Sequence, residues 1–599
     1  MHVFATAGHV DHGKSALVRA LTGMEPDRWA EERRRGMTLD LGFAWTEVPG
    51  AGQVAFVDVP GHERLVGNML AGVGPVPAVV FVVAADQGWQ AQSQEHLGVL
   101  DALGVGHGLL AVTRADLADP EPARKEALDR IAETSLGAVP SVAVSAVTGA
   151  GLAELRTELA RTAGALPAPD PGADVRLWVD RVFTVRGRGT VVTGTLGAGT
   201  LRVGDHLESA RGGRTLRVRG LEALKEPRSQ VGAVARVAVN VHGPGADALR
   251  RGDALLAPGR WLTADTVDVR LTGDPARDLP RHLTLHAGSA AVPVTVRPLG
   301  DDTARLRLAA TLPLRIGDRA LLRDPGRHRV PAGVTVLDVR PPVLARRGAA
   351  ATRAHDLRAL TGRPDGAGEL RRRGLVRRSE LAAMGAAAPS EPVAGDWLAD
   401  PAHWTALGER LREAVKEHAA GHPLEPGLPL ETARQVLGLP ERCLVEALLT
   451  AGSGLRQREG RIYGSRSRPA LPPAVEAAVA AVRADLAEAP FRAPEAGRLA
   501  ELGLTPRLLA AAAAAGALLR IADSIVLLPG ADARAAALLS RLAQPFTASQ
   551  ARRALDTTRR VALPLLEHLD RQGRTVRLDG ALRRCAPAAE PEEARTDAG

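Results

Sequence analysis

The sequence predicts a multidomain chain with an α/β P-loop domain, two β-barrel domains and C-terminal tandem winged-helix modules. Three observations predict this. An apolar strand, Val3–Ala5, runs straight into Gly8-His9-Val10-Asp11-His12-Gly13-Lys14-Ser15, a GxxxxGK[ST] pattern between a strand and a helix. Past a proline-rich linker the pattern becomes alternating strands broken by Gly-Asp turns. Past Pro341-Pro342 it becomes apolar helices, each followed by a two-strand ribbon.

Each element follows in order. Residues 1–167 alternate short apolar runs (Val54–Val57, Val79–Val83, Leu109–Val112, Val142–Val144) with helical stretches, the rhythm of a parallel sheet. Residues 163–174, with three prolines and no periodicity, read as a stiff linker. Two barrels are expected at 174–258 and 259–342, divided at Pro258-Gly259. Ribbons turning at Glu459-Gly460, Asp523-Ser524 and Asp579-Gly580 repeat at about 60 residues. They place winged helices at 346–422, 423–468, 469–530 and 531–586, with a generic helical solenoid as the alternative.

Composition bounds the class. With 599 residues, 45% hydrophobic and 24% charged, the chain is globular. Two cysteines, Cys443 and Cys585, cannot build a disulfide framework. The longest apolar stretches, 76–85 and 508–519, fall short of the roughly 20 residues of a membrane span, and no signal-peptide core opens the chain. A cytoplasmic protein without a membrane partner is expected, as a monomer. The net charge of +9 favours a polyanionic partner. Only four of 77 basic residues are lysine, so Lys14 stands out.

The phosphate loop implies that backbone N–H groups cradle phosphates, that Lys14 reaches the β- and γ-phosphates and that Ser15 binds Mg²⁺. Asp58, at the end of a strand, can hold a Mg²⁺-bound water. Gly61 offers an N–H to a γ-phosphate, and His62 stands where a side chain could orient water. Thr38, in Arg35-Gly36-Met37-Thr38, can complete the Mg²⁺ shell while γ-phosphate is present. Asp116, in Thr113-Arg114-Ala115-Asp116, can accept N1–H and the N2 amine of guanine, a pair adenine lacks. Ser145-Ala146 supplies a loop against the guanine O6. The four motifs occur in GTPase order and spacing, so the chemistry expected is GTP hydrolysis to GDP and phosphate.

Through GHVDHGKS, RGMT and DVPGHERLVGNMLAGVG, with two barrels following, the sequence resembles translational GTPases of the elongation factor Tu group. RRRGMTLDLGFAW, WVDRVFTVRGRGTVVTGTLGAG and the winged-helix extension make it similar to the bacterial selenocysteine-specific branch. The resemblance implies roles for Gly13 and Lys14 on phosphate, Ser15 and Thr38 on Mg²⁺, Asp58 behind the metal, and His62 on water, gated by Val10 and Met37. Thr113 and Arg114 depart from the Asn-Lys of the guanine motif, implying modest changes in affinity. It also implies an aminoacyl pocket of Asp180, Arg181 and Arg236, whose arginines would select a selenolate over neutral serine or cysteine.

Residues 541–585 hold ten arginines and four acids. Arg552, Arg553, Arg559, Arg560, Arg574 and Arg577 are the candidate RNA contacts, and the resemblance implies an mRNA hairpin as the ligand. The expected function is GTP-dependent delivery of selenocysteinyl-tRNA to the ribosome at recoded UGA codons. A general aminoacyl-tRNA carrier or initiation-type GTPase, or a GTP-switched RNA-binding regulator, remain as rivals.

Overall fold

A computed structural model describes residues 1–26, 41–60, 69, 76–327, 329–422, 425–450, 454–464, 471–578 and 582–586. The N-terminal sheet contains β1 (His2–Ala7), β2 (Gly42–Val48), β3 (Gly52–Asp58), β4 (Ala78–Ala84), β5 (Gly108–Thr113) and β6 (Ser141–Ala143). Their spatial order is β2-β3-β1-β4-β5-β6, parallel except for β2. Helices α1 (Lys14–Thr22), α2 (Ala91–Ala102), α3 (Glu121–Ala132) and α4 (Leu152–Gly164) cover the sheet. One apolar cluster gathers Phe4, Phe56 and Leu155 on one face, another Val57, Phe81 and Leu100 on the other. The central strands are buried on both faces, which is why they read as unbroken Val-rich runs.

Both predicted barrels are present. In the first, Thr215–Ala223 pairs with both Ala235–His242 and His206–Ser209, closing the sheet on itself. The second is a closed barrel of six strands spanning Ala264–Gly273 to Arg329–Asp338. The guanidiniums of Arg176 (4.5 Å) and Arg315 (3.7 Å) both lie over the Trp261 ring, and Arg176 pairs with Asp318 across the two barrels. Gly333 lets α2 approach the second barrel, since a Cβ there would lie 2.8 Å from the Ala102 Cα.

The helical region divides between two compact units, residues 1–372 with 376–391 and residues 373–375 with 392–599. In the first unit, Ala349–Arg358 is stapled to the second barrel by buried Arg353, which pairs with Asp268 (2.7 Å) and Asp338. In the second unit, Pro401–Gly421 packs Leu407, Leu411 and Val415 onto the core of Leu428–Ile462. That helix supplies the first element of a winged helix continued by Leu430–Leu437, Arg442–Thr450 and the ribbon Leu455–Arg458/Arg461–Gly464. Two further copies follow. One runs from Pro473–Glu488 to the ribbon Leu519–Ala522/Ile525–Leu527, the other from Ala531–Leu539 to Thr575–Arg577/Leu582–Cys585. These two share one core that includes Leu486, Leu509, Val526, Phe546 and Leu565. The turn at Asp579-Gly580 lies outside the described residues. No helix of the described residues is long and apolar enough to cross a membrane.

Candidate nucleotide and aminoacyl sites

Parallel pairing of β1 with β3, Ala5 opposite Val57, brings the phosphate loop beside Asp58. Thr6 and Ser15 both donate hydroxyl hydrogen bonds to Asp58, at 2.6 Å to Oδ1 and 2.6 Å to Oδ2. Burial raises the Asp58 carboxyl, opposed by those two hydroxyls and by the Lys14 ammonium. Lys14 Nζ donates to the carbonyls of Gly8 (3.0 Å) and His9 (2.7 Å). Burial lowers its pKa to about 8 against the pull of Asp58 and Asp11. Gly8 has φ +127°, and a Cβ there would meet the Val82 carbonyl oxygen at 2.1 Å, so only glycine fits. Gly13 caps α1 in the left-handed region.

Residues the motif reading passed over shape this loop. The Gly8 N–H donates to His96 Nδ1 (3.0 Å) and the Val10 N–H to Gln92 Oε1 (3.2 Å), both from α2. Burial, then the Lys14 charge, lowers His96 to about 3, so its ring is neutral. His12 is fully buried, with Nδ1 3.2 Å from the Val82 carbonyl, and burial lowers its pKa to about 4. The only sequence signal for His96 was a histidine followed by Leu97, Val99 and Leu100 in a helix.

The guanine loops meet the phosphate loop. The Thr113 hydroxyl donates to the His12 carbonyl (2.7 Å), and Arg114, at φ +56°, pairs with Asp86 (2.9 Å) and donates to the Asp11 carbonyl. Asp116 is exposed at the same edge. The Ala115 N–H donates to the Val144 carbonyl at 3.2 Å, tying the two base-side loops together. Ser145 is buried, its Oγ accepting from the N–H groups of Val147 (3.3 Å) and Thr148 (3.1 Å), with Ala146 beside it. Thr38, Gly61 and His62, like Met37, lie outside the described residues.

On the first barrel, Asp180 and Arg236 form a buried two-pronged pair, Nη1–Oδ2 2.6 Å and Nη2–Oδ1 3.0 Å, with the Thr193 hydroxyl on Asp180 at 2.7 Å. Arg236 also lies 5.6 Å from the centroid of Phe43 on β2. Its charge is therefore matched by Asp180. Arg181 is half-buried and reaches the Leu41 carbonyl (3.3 Å), just ahead of β2. Two residues along the strand, Phe183 lines a cavity of about 460 Å³ with Val191, Arg219, Glu222 and Asn240.

The Elongation factor Tu GTP binding domain family matches residues 1–164. Elongation factor Tu 2 of Streptomyces avermitilis is 33% identical over 296 residues, covering 44% of this chain and 74% of that protein. The chain belongs to the elongation factor Tu family of translational GTPases.

Within that family, the selenocysteine-specific elongation factor of Desulfomicrobium baculatum is 38% identical over 338 residues, 54% of this chain and 53% of that one. The Escherichia coli selenocysteine-specific factor is 37% identical over 348 residues, 57% and 56%. The chain thus spans about half the length of these curated relatives. The Elongation factor SelB winged-helix family matches residues 537–583. The crystal structure of a bacterial selenocysteine-specific elongation factor has the same fold, with TM-score 0.77, 24% identity, 98% of this chain and 100% of that one covered.

Within the SelB-matched module the structure sorts the candidate arginines. Arg552 and Arg553 are exposed in the last turn of Ala548–Ala554, and Arg559 opens Arg559–Arg571. Arg574 and Arg577 are exposed on the ribbon side, Arg574 4.0 Å from Asp532. Arg560 is different. It donates to the carbonyls of Ala493 and Pro494 (both 2.8 Å), which makes it a strut to the preceding module.

Proposed function

We propose that this chain is a GTP-hydrolysing elongation factor that carries selenocysteinyl-tRNA to the ribosome at recoded UGA codons while its last winged helix holds an mRNA hairpin. The observation that carries this reading is the union, in one chain, of the Lys14–Ser15–Asp58 cradle with a SelB-type winged helix at residues 537–583. The elongation factor Tu family membership supports the GTPase half.

In this reading Lys14 exchanges the Gly8 and His9 carbonyls for β- and γ-phosphate oxygens, and Asp116 accepts from guanine N1–H and N2. The paired oxygens of Ser15 and Asp58 suit Mg²⁺, Ser15 as ligand and Asp58 through a bound water. Bound there, Mg²⁺ would neutralise charge on the β- and γ-phosphates. Thr38 and Gly61 sense the γ-phosphate, and His62 orients the water whose oxygen attacks phosphorus as GDP leaves. At the aminoacyl end Asp180 balances Arg236, and Arg181, next to Asp180 in the chain, supplies a further positive charge that favours a selenolate. We place the protein in the cytoplasm, as a monomer.

Protection of aminoacyl esters from hydrolysis tests this. GTP-dependent protection of selenocysteinyl-tRNA, without protection of seryl- or cysteinyl-tRNA, is expected. Equal protection of all three points to a general carrier, and none at all to a GTP-switched RNA-binding regulator.

A further inference from the structure

The ribbon of the winged helix that begins at Pro401 has an unusual face. Its strands place Arg458 directly opposite Arg461, and Arg456 opposite Tyr463. Glu459 (φ 49°) and Gly460 (φ 74°) close a two-residue turn that fixes this register. Side chains alternate across a ribbon, and Ile462 points into the core at 0% exposed. Arg456, Arg458, Arg461 and Tyr463 therefore share the other face.

Like charges directly opposite one another destabilise an antiparallel pair, so a fold without an anionic partner gains by avoiding them. The neighbouring carboxylates offset this charge only in part. Glu459 is 3.5 Å from Arg458, and Glu425 is divided between Arg461 (3.5 Å) and Arg507 (3.0 Å) of the next module. Four guanidiniums face two carboxylates, and the Arg458 side chain is 79% exposed. General arginine richness does not produce this pattern. The next module's ribbon pairs Arg520 with Val526 and Leu519 with Leu527, and its Arg520 bonds Asp523. In the last module Arg577 faces Arg583, but Arg583 is buried on Asp570 at 2.9 Å. Among the described winged-helix ribbons, Arg458 and Arg461 are the opposed arginines that both reach solvent.

We propose that this face docks on the phosphate backbone of ribosomal RNA. The proposal rests on the delivery reading, in which the tRNA and the hairpin already have sites on the first barrel and the last module. Ribosomal RNA is the polyanion that delivery adds. Guanidiniums suit phosphate because their N–H forks make paired, charge-assisted hydrogen bonds. Each neutralised phosphate steepens the salt dependence of binding by just under one unit.

The test uses the full chain and its Arg456→Glu/Arg458→Glu variant, co-sedimented with purified bacterial ribosomes over a salt series. The variant should bind ribosomes roughly tenfold more weakly, with a log–log salt slope shallower by about 2. Protection of selenocysteinyl-tRNA should be unchanged, as should binding of a selenoprotein transcript spanning its UGA codon and hairpin. These two controls also establish that the variant is folded. Unchanged ribosome binding overturns the proposal, and so does wild type that binds no ribosomes. Loss of transcript binding in step with ribosome binding assigns the face to mRNA and overturns it as well. Wild type that binds ribosomes through this face but protects no aminoacyl ester sinks the delivery reading alone.

Discussion

Ser15 donates its hydroxyl to Asp58 at 2.6 Å, a bond that joins the phosphate loop to the end of β3. Neither residue is near the other in sequence; parallel pairing of β1 and β3 makes them neighbours. In the proposed site, a pair built this way would hold the metal-side oxygens in register at little ordering cost to Mg²⁺ and GTP binding.

Ser15→Ala should therefore raise the Mg²⁺ concentration needed for tight GTP binding by about 10- to 100-fold, the range for losing a metal ligand's support. Asp58→Asn should have a similar effect while leaving metal-free nucleotide affinity nearly intact. Fluorescent-nucleotide titrations with and without Mg²⁺ separate the two quantities. Equal losses in both would mean that the pair shapes the loop rather than the metal site.

Lys14 supplies a proton-linked prediction. Its pKa is lowered to about 8, because burial outweighs Asp58 and Asp11. Phosphates placed against it raise that value again. Binding then favours the protonated form, so nucleotide binding near pH 8 takes up a proton and affinity falls as pH rises through 8. Calorimetry of GDP binding in buffers of different ionisation heat should show uptake of about three-quarters of a proton at pH 8.5 and little at pH 6.5. Lys14→Arg should abolish the uptake.

Asp180 and Arg181 are adjacent but should behave oppositely. Asp180 is the partner of a buried guanidinium, and removing it leaves Arg236 uncompensated. Asp180→Ala should cost about 3–5 kcal/mol of barrel stability. Arg181→Ala removes a half-buried guanidinium that donates to the Leu41 carbonyl just ahead of β2. It should lower the urea midpoint less than Asp180→Ala does and abolish discrimination between selenocysteinyl- and cysteinyl-tRNA.

What could be read from sequence follows the range of the interactions. Gly8–Ser15, Asp58 and Asp116 are legible because each lies at a strand end, where a local pattern of strand, glycine and helix dictates position. The ribbons were legible because apolar periodicity and the turn at Glu459-Gly460 are local too. His96 was not, since it reaches Gly8 from 88 residues away and nothing in α2 distinguishes it from a core histidine. Arg560 looked like an RNA contact because its place at a helix start is a local feature, while its partners Ala493 and Pro494 belong to the preceding module. The pairing of Asp180 with Arg236 rather than Arg181 depends on the barrel's strand order, again a non-local fact.

His96 also makes the protein sensitive to acid. Its ring is 2% exposed, and its pKa is lowered to about 3 by burial and then by Lys14 and His9. A histidine lowered in the folded state contributes stability above its unfolded value near 6.5 and loses it as pH falls toward the folded value. At one pKa unit per 1.36 kcal/mol, lowering pH from 7 to 5 should cost about 2 kcal/mol through this residue. His96→Gln keeps an acceptor for the Gly8 N–H but no titrating ring. The variant should be close to wild type in GDP affinity at pH 7 and should lose less stability between pH 7 and 5, measured as the shift in urea midpoint. His96→Leu leaves the Gly8 N–H without its acceptor and should weaken nucleotide binding at every pH. If Gln and Leu variants bind GDP alike, the imidazole does not hold the phosphate loop and the acid sensitivity lies elsewhere, with buried His286 (about 4) beside Arg323 and Arg251 as the next residue to replace.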